Sequence, residues 1–256
     1  MTKTVLITGS TSGIGLGIAK AFAAQGHNIV FNGLEPSGAE IAAGVAAEYG
    51  IQHLFSPANL MQPEAVRGLV REALERFGTV DILVNNAGIQ FVSPVESFPE
   101  EKWDAIIGLN LSACFHATKA VWPGMKEKGW GRIINIASAH GLVASEFKSA
   151  YVAAKHGLIG FTKTIALEGA PQGITANAVC PGYVHTPIVE NQIGDQMKAH
   201  GMSREDVIQK VMLQKQAIKS FIPVEAIVAS VMYIASDAAA QMTGIALPID
   251  GGWTAQ

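Results

Sequence analysis

The stretch Thr4-Val-Leu-Ile-Thr-Gly-Ser-Thr-Ser-Gly-Ile-Gly-Leu-Gly-Ile-Ala-Lys-Ala-Phe22 decides the fold of this chain. It begins with an apolar, β-branched run typical of a buried strand and ends with the spacing of a helix. Between the two, Gly9 allows a tight turn, Gly13 lets the backbone approach a phosphate without a Cβ, and Gly15 lets helix and strand pack closely. A strand, a glycine turn and a helix in this order predict a pyrophosphate site at the helix N-terminus. A glycine turn with a purely structural role is the alternative.

The alternation of strand and helix continues along the chain. Apolar runs predict strands at Thr4–Thr8, Asn28–Asn32, Gln52–Phe55, Asp81–Asn85, Arg132–Ala137, Thr175–Val179 and Ile245–Ile249. Helical spacing predicts helices over roughly 14–25, 38–49, 63–77, 100–128, 150–169 and 223–236. Such alternation implies right-handed crossovers and a parallel sheet covered by helices on both faces. We therefore expect an α/β fold: a doubly wound Rossmann domain with a seven-stranded parallel sheet, formed by residues 1–256 as one domain.

Composition excludes several classes of protein. The 256 residues are 49% hydrophobic and 15% charged, which is the opposite of a disordered chain. A net charge of −3 gives no basic surplus to neutralise phosphates, so we expect no nucleic-acid partner. No apolar run reaches the ~18 residues of a membrane span. Cys114 and Cys180 lie far apart in apolar surroundings, and no His/Cys spacing suggests a metal, so we expect a cytoplasmic protein without a metal site.

One segment, residues 186–220, interrupts the alternation. It is richer in charge, Gln and Met than its surroundings and contains no predicted strand. Pro181-Gly182 and Pro187 punctuate the chain just before and within it. A helical excursion hinged at these residues would act as a lid over a site. A pair of ordinary surface helices is the alternative.

Further motifs follow the glycine turn in a fixed order. They are Asn85-Asn86-Ala87-Gly88 after the fourth strand, Asn110 within a helix, Ser138 at the end of the fifth strand, Tyr151-Val-Ala-Ala-Lys155 opening a helix, and Pro181-Gly182 at the end of the sixth strand. With these motifs and the Gly-x-x-x-Gly-x-Gly spacing of its turn, the sequence resembles the short-chain dehydrogenase/reductase family over its whole length. The resemblance implies an oxidoreductase that uses a nicotinamide cofactor.

The spacing of Tyr151 and Lys155 places both side chains on one face of a helix. A free tyrosine has a pKa of about 10 and is a poor base at neutral pH, but a nearby ammonium favours its phenolate. Tyr151 could then exchange a proton with an alcohol or ketone, while Ser138 holds the substrate oxygen. The family resemblance further implies that Lys155 binds the nicotinamide ribose. It also implies that Asn110 bends its helix and holds a water of the proton relay.

The end of the second strand bears on the choice between NAD and NADP. NAD-specific members of the family usually have an Asp at the position of Gly33, to bind the ribose 2′-hydroxyl, and it is missing here. NADP-specific members need a nearby Arg or Lys, and residues 31–40 contain neither, while Glu35 would repel a phosphate. We therefore expect NAD. The resemblance implies cofactor contacts from Gly9, Thr11, Ser12, Gly13, Ile14, Gly15, Gly33, Leu34, Asn59, Leu60, Asn86, Ala87, Gly88, Tyr151, Lys155, Pro181, Gly182, Val184 and Thr186. Asn59 departs from the Asp that the family often places against adenine.

Four polar residues belong to loops that line the substrate cleft in this fold: Gln90, His140, Lys148 and Gln192. One ammonium, one imidazole and two amides suit a small carboxylate. These residues and their flanking stretches resemble the bacterial D-3-hydroxybutyrate dehydrogenases within the family, in which the matching side chains bind the substrate carboxylate. That resemblance implies a small hydroxy acid as substrate, of D configuration. Trp253 and Leu142 would wall the pocket for its methyl group, and Tyr183 departs from a common Trp.

Other functions stay open. A 3-oxoacyl thioester reductase or a polyol dehydrogenase of the same family is the first alternative, although a thioester would leave Lys148 and His140 unexplained. A non-catalytic dinucleotide-binding sensor is the second, although it has no need of Ser138, Tyr151 and Lys155. The family commonly forms tetramers through its long helices and C-terminal strand. Apolar faces at Ala113–Val121 and Ile159–Leu167 suit a homotetramer.

Overall fold

Seven parallel strands form one twisted sheet in the order β3-β2-β1-β4-β5-β6-β7. The computed structural model describes residues 1–186, 189–190, 193–194, 197 and 201–255. The strands are β1 Thr4–Ile7, β2 Asn28–Asn32, β3 His53–Ser56, β4 Ile82–Asn85, β5 Gly131–Ile136, β6 Ile174–Pro181 and β7 Ala246–Ile249. This confirms the predicted α/β fold and its seven-stranded parallel sheet.

The strand order reverses between β1 and β4. The chain runs outward from β1 through β2 to β3 and then returns to place β4 on the other side of β1. At such a reversal the loops after the two central strands separate and leave a crevice at their carboxyl ends. The glycine turn follows β1 and the Asn86–Gly88 loop follows β4, so both motifs face this crevice.

Helices cover both faces of the sheet. They are α1 Gly13–Ala24, α2 Gly38–Tyr49, α3 Pro63–Phe77, α4 Glu100–Ile107, α5 Ala113–Lys128, α6 Ser149–Gly169, α7 Arg204–Asp206 and α8 Val224–Ala235. The helix expected over 100–128 is interrupted by a π-helical segment, Gly108–Ser112, which joins α4 to α5. Such segments occur often at functional sites, and this one contains Asn110. None of the described helices has the length and apolar character that crossing a bilayer requires.

The apolar core consists of two layers, one on each face of the sheet. Val5 and Ile7 of β1 pack with α1 and α8, whereas Leu6 between them packs with α3 and α5. Successive side chains of a strand point to opposite faces, and here both faces are buried. The strand is therefore apolar throughout rather than alternating.

A chain of buried polar side chains connects the sheet to α6. Asn85 and Asn135 are opposite each other in the β4–β5 register, and Asn85 Nδ2 donates to Asn135 Oδ1 at 2.8 Å. Asn135 Nδ2 donates to Thr162 Oγ1 at 2.8 Å, and Thr162 in turn donates to the Leu158 carbonyl. These hydrogen bonds fix α6, the helix that begins with the Tyr-x-x-x-Lys motif, against the central strands.

The segment that interrupts the alternation, residues 186–220, begins and ends at neighbouring positions in the fold. Val184 and Ile222 form an isolated parallel bridge. Between these residues, α7 continues as a π-helical segment, Val207–Met212. Val207 and Met212 pack with Val189 and Ile193 in a small apolar cluster of their own. The described part of the segment therefore contains helical turns and is tied together at its two ends.

Candidate active site

A cleft of about 480 Å³ opens at the carboxyl ends of the central strands. Its volume lies in the range of sites for small molecules and cofactors. The predicted residues that line it are Gly9, Ser12, Gly13, Ile14, Gly33, Leu34, Asn59, Leu60, Asn86, Ala87, Gly88, Gln90, Ser138, His140, Lys148, Tyr151, Lys155, Pro181, Gly182, Val184, Thr186 and Trp253. Residues from almost every strand end thus meet in one cavity, as the order of the motifs predicts.

Several predicted residues lie elsewhere. Thr11 and Asn110 are buried behind the wall of the cleft, and Gly15 packs against the first turn. Leu142 is 36% exposed and does not line the cleft, contrary to its expected place in the methyl pocket. Gln192 lies outside the described residues.

The glycine turn has the geometry of a phosphate cradle. Gly9 and Gly13 adopt left-handed backbone conformations, with φ of 59° and 52°. A Cβ at Gly15 would overlap the Gly9 carbonyl, so that position requires glycine. Among the described residues, a Cβ at Gly13 would meet only Thr186, at 3.6 Å, so these residues leave the space above the turn open. An open turn at the N-terminus of the twelve-residue helix α1 fits the pyrophosphate of a dinucleotide.

Two side chains that the sequence did not mark as ligands shape this half of the cleft. Asn32 Oδ1 accepts from the Gly9 backbone N–H, and its Nδ2 donates to the Ser56 and Ala58 carbonyls, so it ties three loops together. Glu35 folds back over the turn and accepts hydrogen bonds from the Thr11 and Ser12 hydroxyls. The Thr11 hydrogen bond is the main reason that the pKa of Glu35 lies below its usual value. The signal for Asn32 was a polar residue closing an apolar buried strand.

Ser138, Tyr151 and Lys155 all border the cleft. Ser138 Oγ accepts from the His140 backbone N–H at 3.1 Å, which leaves its own O–H free to donate into the cleft. The Lys155 ammonium is buried 5.6 Å from the centre of the Tyr151 ring, and Nζ donates to the Ile136 carbonyl at 2.7 Å. An ammonium has three N–H groups, so two of them remain for other acceptors.

Asn110 braces the loop that leads to Gln90. Its side-chain oxygen accepts from the Ile89 N–H and its amide donates to the Ile89 carbonyl, both at 2.9 Å. The π-helical segment turns this fully buried side chain toward the loop. Gln90, the next residue, has a buried amide nitrogen with no hydrogen-bond partner among the described residues. That nitrogen is a donor without an acceptor at the wall of the cleft.

The end of the cleft near α6 is buried and positively charged. Lys148 precedes α6 and is 8% exposed. Phe147 before it has a left-handed φ of 65°, a strained conformation for a non-glycine residue and of the kind that clusters at functional sites. Burial, with a smaller effect of the Lys215 charge, lowers the pKa of Lys148 to about 8.

His140 is an uncharged hydrogen-bonding group in this cleft. Burial first, and the Lys148 charge second, lower its pKa to about 3. Its Nε2 lies 3.0 Å from Ser145 Oγ. A neutral imidazole beside a lysine can orient an anion without adding charge.

An aromatic wall closes the other side of this end. Trp253 is buried, stacks on Tyr183 with ring centroids 5.7 Å apart, and forms an edge-to-face contact with His140 with ring centroids 4.9 Å apart. Asp250 holds the loop before it by accepting from the Gly252 and Thr254 N–H groups and the Thr254 hydroxyl. The wall is therefore fixed by hydrogen bonds from outside the cleft.

Comparison with known proteins agrees with this geometry. The model of the family described as short chain dehydrogenase matches residues 3–197. A D-beta-hydroxybutyrate dehydrogenase of Rhizobium meliloti is 54% identical, with all of both chains covered, and one of Cupriavidus necator is 50% identical, covering 99% of this chain and 98% of the relative. A crystal structure of an actinorhodin polyketide ketoreductase variant with NADPH superposes with a TM-score of 0.94 at 32% identity, covering 100% of this chain and 98% of that one. The chain belongs to the short-chain dehydrogenase/reductase family of oxidoreductases, whose members bind nicotinamide cofactors.

Proposed function

We propose that this enzyme catalyses the reversible, NAD-dependent oxidation of D-3-hydroxybutyrate to acetoacetate. The observation that carries the proposal is Lys148, a buried cation at one end of the cleft. Among the described residues, no acidic side chain forms an ion pair with it. A buried charge without a counter-ion is costly, so the site is built for an anionic ligand. The names of the two bacterial relatives favour the same substrate.

Ser138 and Tyr151 carry the proton chemistry in this proposal. The free Ser138 O–H donates to the substrate oxygen and stabilises the negative charge that develops there. Tyr151 takes the hydroxyl proton of the alcohol during oxidation and returns it to the ketone during reduction. The Lys155 ammonium lies beside this tyrosine, with Nζ 5.6 Å from the centre of its ring. Its two remaining N–H groups are available to the nicotinamide ribose hydroxyls.

A bound nicotinamide supplies the hydride acceptor for C3 of the substrate. The Gly9–Gly15 turn would hold its pyrophosphate, and the Asn86–Gly88 loop would lie beside it. Lys148, neutral His140 and the unpaired Gln90 amide would hold the carboxylate at the far end of the cleft. This fixes C3 between two anchored ends, which is how a small substrate is oriented for one reaction.

The alternative substrates fit these residues less well. A 3-oxoacyl thioester has no carboxylate, so it would leave the buried Lys148 ammonium without an anionic partner. A polyol is likewise neutral and gives a buried cation no compensation. Recognition of a free carboxylate uses Lys148, His140 and Gln90 together.

NAD is the cofactor that the second strand end favours. Glu35 lies over the turn, hydrogen-bonded to Thr11 and Ser12, and its lowered pKa keeps it an anion at neutral pH. A carboxylate there repels a 2′-phosphate and can accept a hydrogen bond from a 2′-hydroxyl. The NADPH of the ketoreductase structure belongs to a protein only 32% identical to this one.

The proposal extends to the assembly. Residues 1–256 would act as one catalytic domain, with 186–220 as a lid, because the Val184–Ile222 bridge ties the ends of that segment at the cleft. The chain would form a homotetramer through α5 and α6. Cys114 and Cys180 are free and buried, which suits the reducing cytoplasm.

The test is an oxidation assay with purified enzyme. NADH formation is measured with D- and L-3-hydroxybutyrate, each with NAD and with NADP, in wild type and in Tyr151→Phe. We expect the D isomer with NAD to be the best pair. We expect Tyr151→Phe to lose turnover by at least about a thousandfold, since it removes the proton acceptor, while NADH binding measured by fluorescence is retained. Tyr233→Phe, at an exposed tyrosine on α8, is the matched control and should behave as wild type. Retained turnover in Tyr151→Phe would refute the mechanism, and a preference for the L isomer would refute the substrate.

A further inference from the structure

Tyr183 occupies a fixed position at the end of the cleft near α6, where Lys148 and His140 would hold the substrate carboxylate; we call this the carboxylate end. It follows Pro181-Gly182 at the end of β6, and its backbone is held on both sides. The Tyr183 N–H donates to Gln216 Oε1 at 3.3 Å, and its carbonyl accepts from the Ile222 N–H at 2.9 Å. Its ring lies parallel to Trp253 within 8°. The phenol is therefore aimed by the fold rather than free to rotate away.

The hydroxyl of Tyr183 meets the Lys148 ammonium. Lys148 Nζ donates to Tyr183 Oη at 3.4 Å and lies 5.5 Å from the centre of the same ring. An ammonium has no acceptor, so the phenol oxygen must accept in this pair. The phenolic O–H takes no part in that hydrogen bond and can donate to another acceptor. Burial raises the pKa of Tyr183 to about 12, so the proton stays on the oxygen at neutral pH.

We propose that Tyr183 is a further substrate-binding residue, whose O–H donates a hydrogen bond to the carboxylate held by Lys148. The inference rests on the proposed function, since it takes a 3-hydroxy acid as the substrate. Accepting from an ammonium polarises the O–H and makes it a stronger donor. Two donors side by side match the two oxygens of a carboxylate. A tryptophan at this position could keep the stack on Trp253 but could not accept from Lys148, because its indole nitrogen only donates.

The experiment measures binding without turnover. Enzyme saturated with NADH, which cannot accept a hydride, is titrated calorimetrically with D-3-hydroxybutyrate and separately with its neutral methyl ester. For Tyr183→Phe we expect about tenfold weaker binding of the carboxylate, the scale of one hydrogen bond to a charged group, and an unchanged Kd for the ester. In turnover with NAD the same variant should raise KM about tenfold and leave kcat nearly unchanged, because the bond is made to substrate and transition state alike. Tyr183→Trp should lose the same carboxylate affinity.

Controls separate this role from packing and from the proposed function. Tyr49→Phe, a half-buried tyrosine at the end of α2, should leave both Kd values as in wild type. Equal binding of the carboxylate by wild type and Tyr183→Phe would overturn the inference, and so would an equal loss for carboxylate and ester, which would make Tyr183 only a wall. If the wild-type enzyme binds and oxidises the substrate and Tyr183→Phe does so equally well, the inference is overturned but the proposed function is not. Wild type that binds no D-3-hydroxybutyrate overturns the proposed function and the inference together.

Discussion

At the scale of single residues, burial sets the charge state of each polar group at the carboxylate end. It lowers the pKa of Lys148 to about 8 and that of His140 to about 3, and it raises the pKa of Tyr183 to about 12. Of Lys148, His140 and Tyr183, only Lys148 therefore changes charge between about pH 7 and about pH 10. His140 stays neutral and Tyr183 stays protonated. One ammonium therefore decides how well this end of the cleft holds an anion.

Carboxylate binding should weaken as the pH rises through the pKa of Lys148. A lysine is charged below its pKa, so the Kd of D-3-hydroxybutyrate for the NADH complex should be flat below about pH 8. Above it, the Kd should rise by about tenfold per pH unit, since only the charged fraction binds. Calorimetric titration across this range measures it. Lys148→Met should bind weakly and show no dependence on pH, and a flat wild-type profile would contradict the assignment.

At the scale of an element, the turn between β1 and α1 is shaped by a residue from the next strand's end. Glu35 reaches back to the Thr11 and Ser12 hydroxyls, so an acidic side chain covers the turn although Gly33 carries none. The position of Glu35 in the sequence indicated only that a negative charge lies near the end of the second strand. Its contact with the turn depends on how the chain after β2 folds back, which local spacing does not encode.

Glu35→Gln should relax the preference for NAD. The amide keeps the size of the side chain but removes the charge that repels a 2′-phosphate. We expect kcat/KM with NADP to rise roughly tenfold, equivalent to about 1.4 kcal/mol, and that with NAD to change little. Glu40→Gln, an exposed acid in the first turn of α2, makes the same charge change away from the turn and should alter neither. An unchanged NADP/NAD ratio in Glu35→Gln would remove Glu35 from cofactor selection.

At the scale of the whole molecule, two long helices leave apolar side chains in solvent. Phe115 on α5 is 43% exposed and Leu167 on α6 is 78% exposed. Exposed apolar residues on adjacent faces often mark subunit contacts. Light scattering should give the mass of four chains for wild type, and Leu167→Glu should reduce it, because a charge would be buried at the contact. Val95→Glu, at a residue also 78% exposed but outside these helices, should keep the wild-type mass. A monomeric wild type would refute the tetramer.

Much of the architecture follows from periodicity alone. Strands and helices lie within a few residues of the predicted bounds because helices cover both sheet faces, which makes the central strands predominantly apolar. The exception is the helix over 100–128, where the π-helical segment at Asn110 has no signal in hydrophobic spacing. Motif order likewise placed most of the cleft residues. What spacing could not predict were long-range side-chain contacts, such as Lys148 with Tyr183 or Asn32 with the Ala58 carbonyl, because these depend on tertiary packing.

The buried chain from Asn85 through Asn135 to Thr162 has a consequence for folding. Slipping β4 by one residue against β5 would turn the two amides away from each other and leave them unpaired in an apolar interior. Each unpaired group costs about 1–3 kcal/mol, a large share of the margin by which most domains are stable. Hydrogen bonding between buried polar groups, rather than hydrophobic burial, thus favours the correct strand register over registers shifted by one residue. Thr162 lies on α6, the helix that also carries Tyr151 and Lys155. The register of β4 against β5 therefore also determines whether these two catalytic side chains reach the cleft.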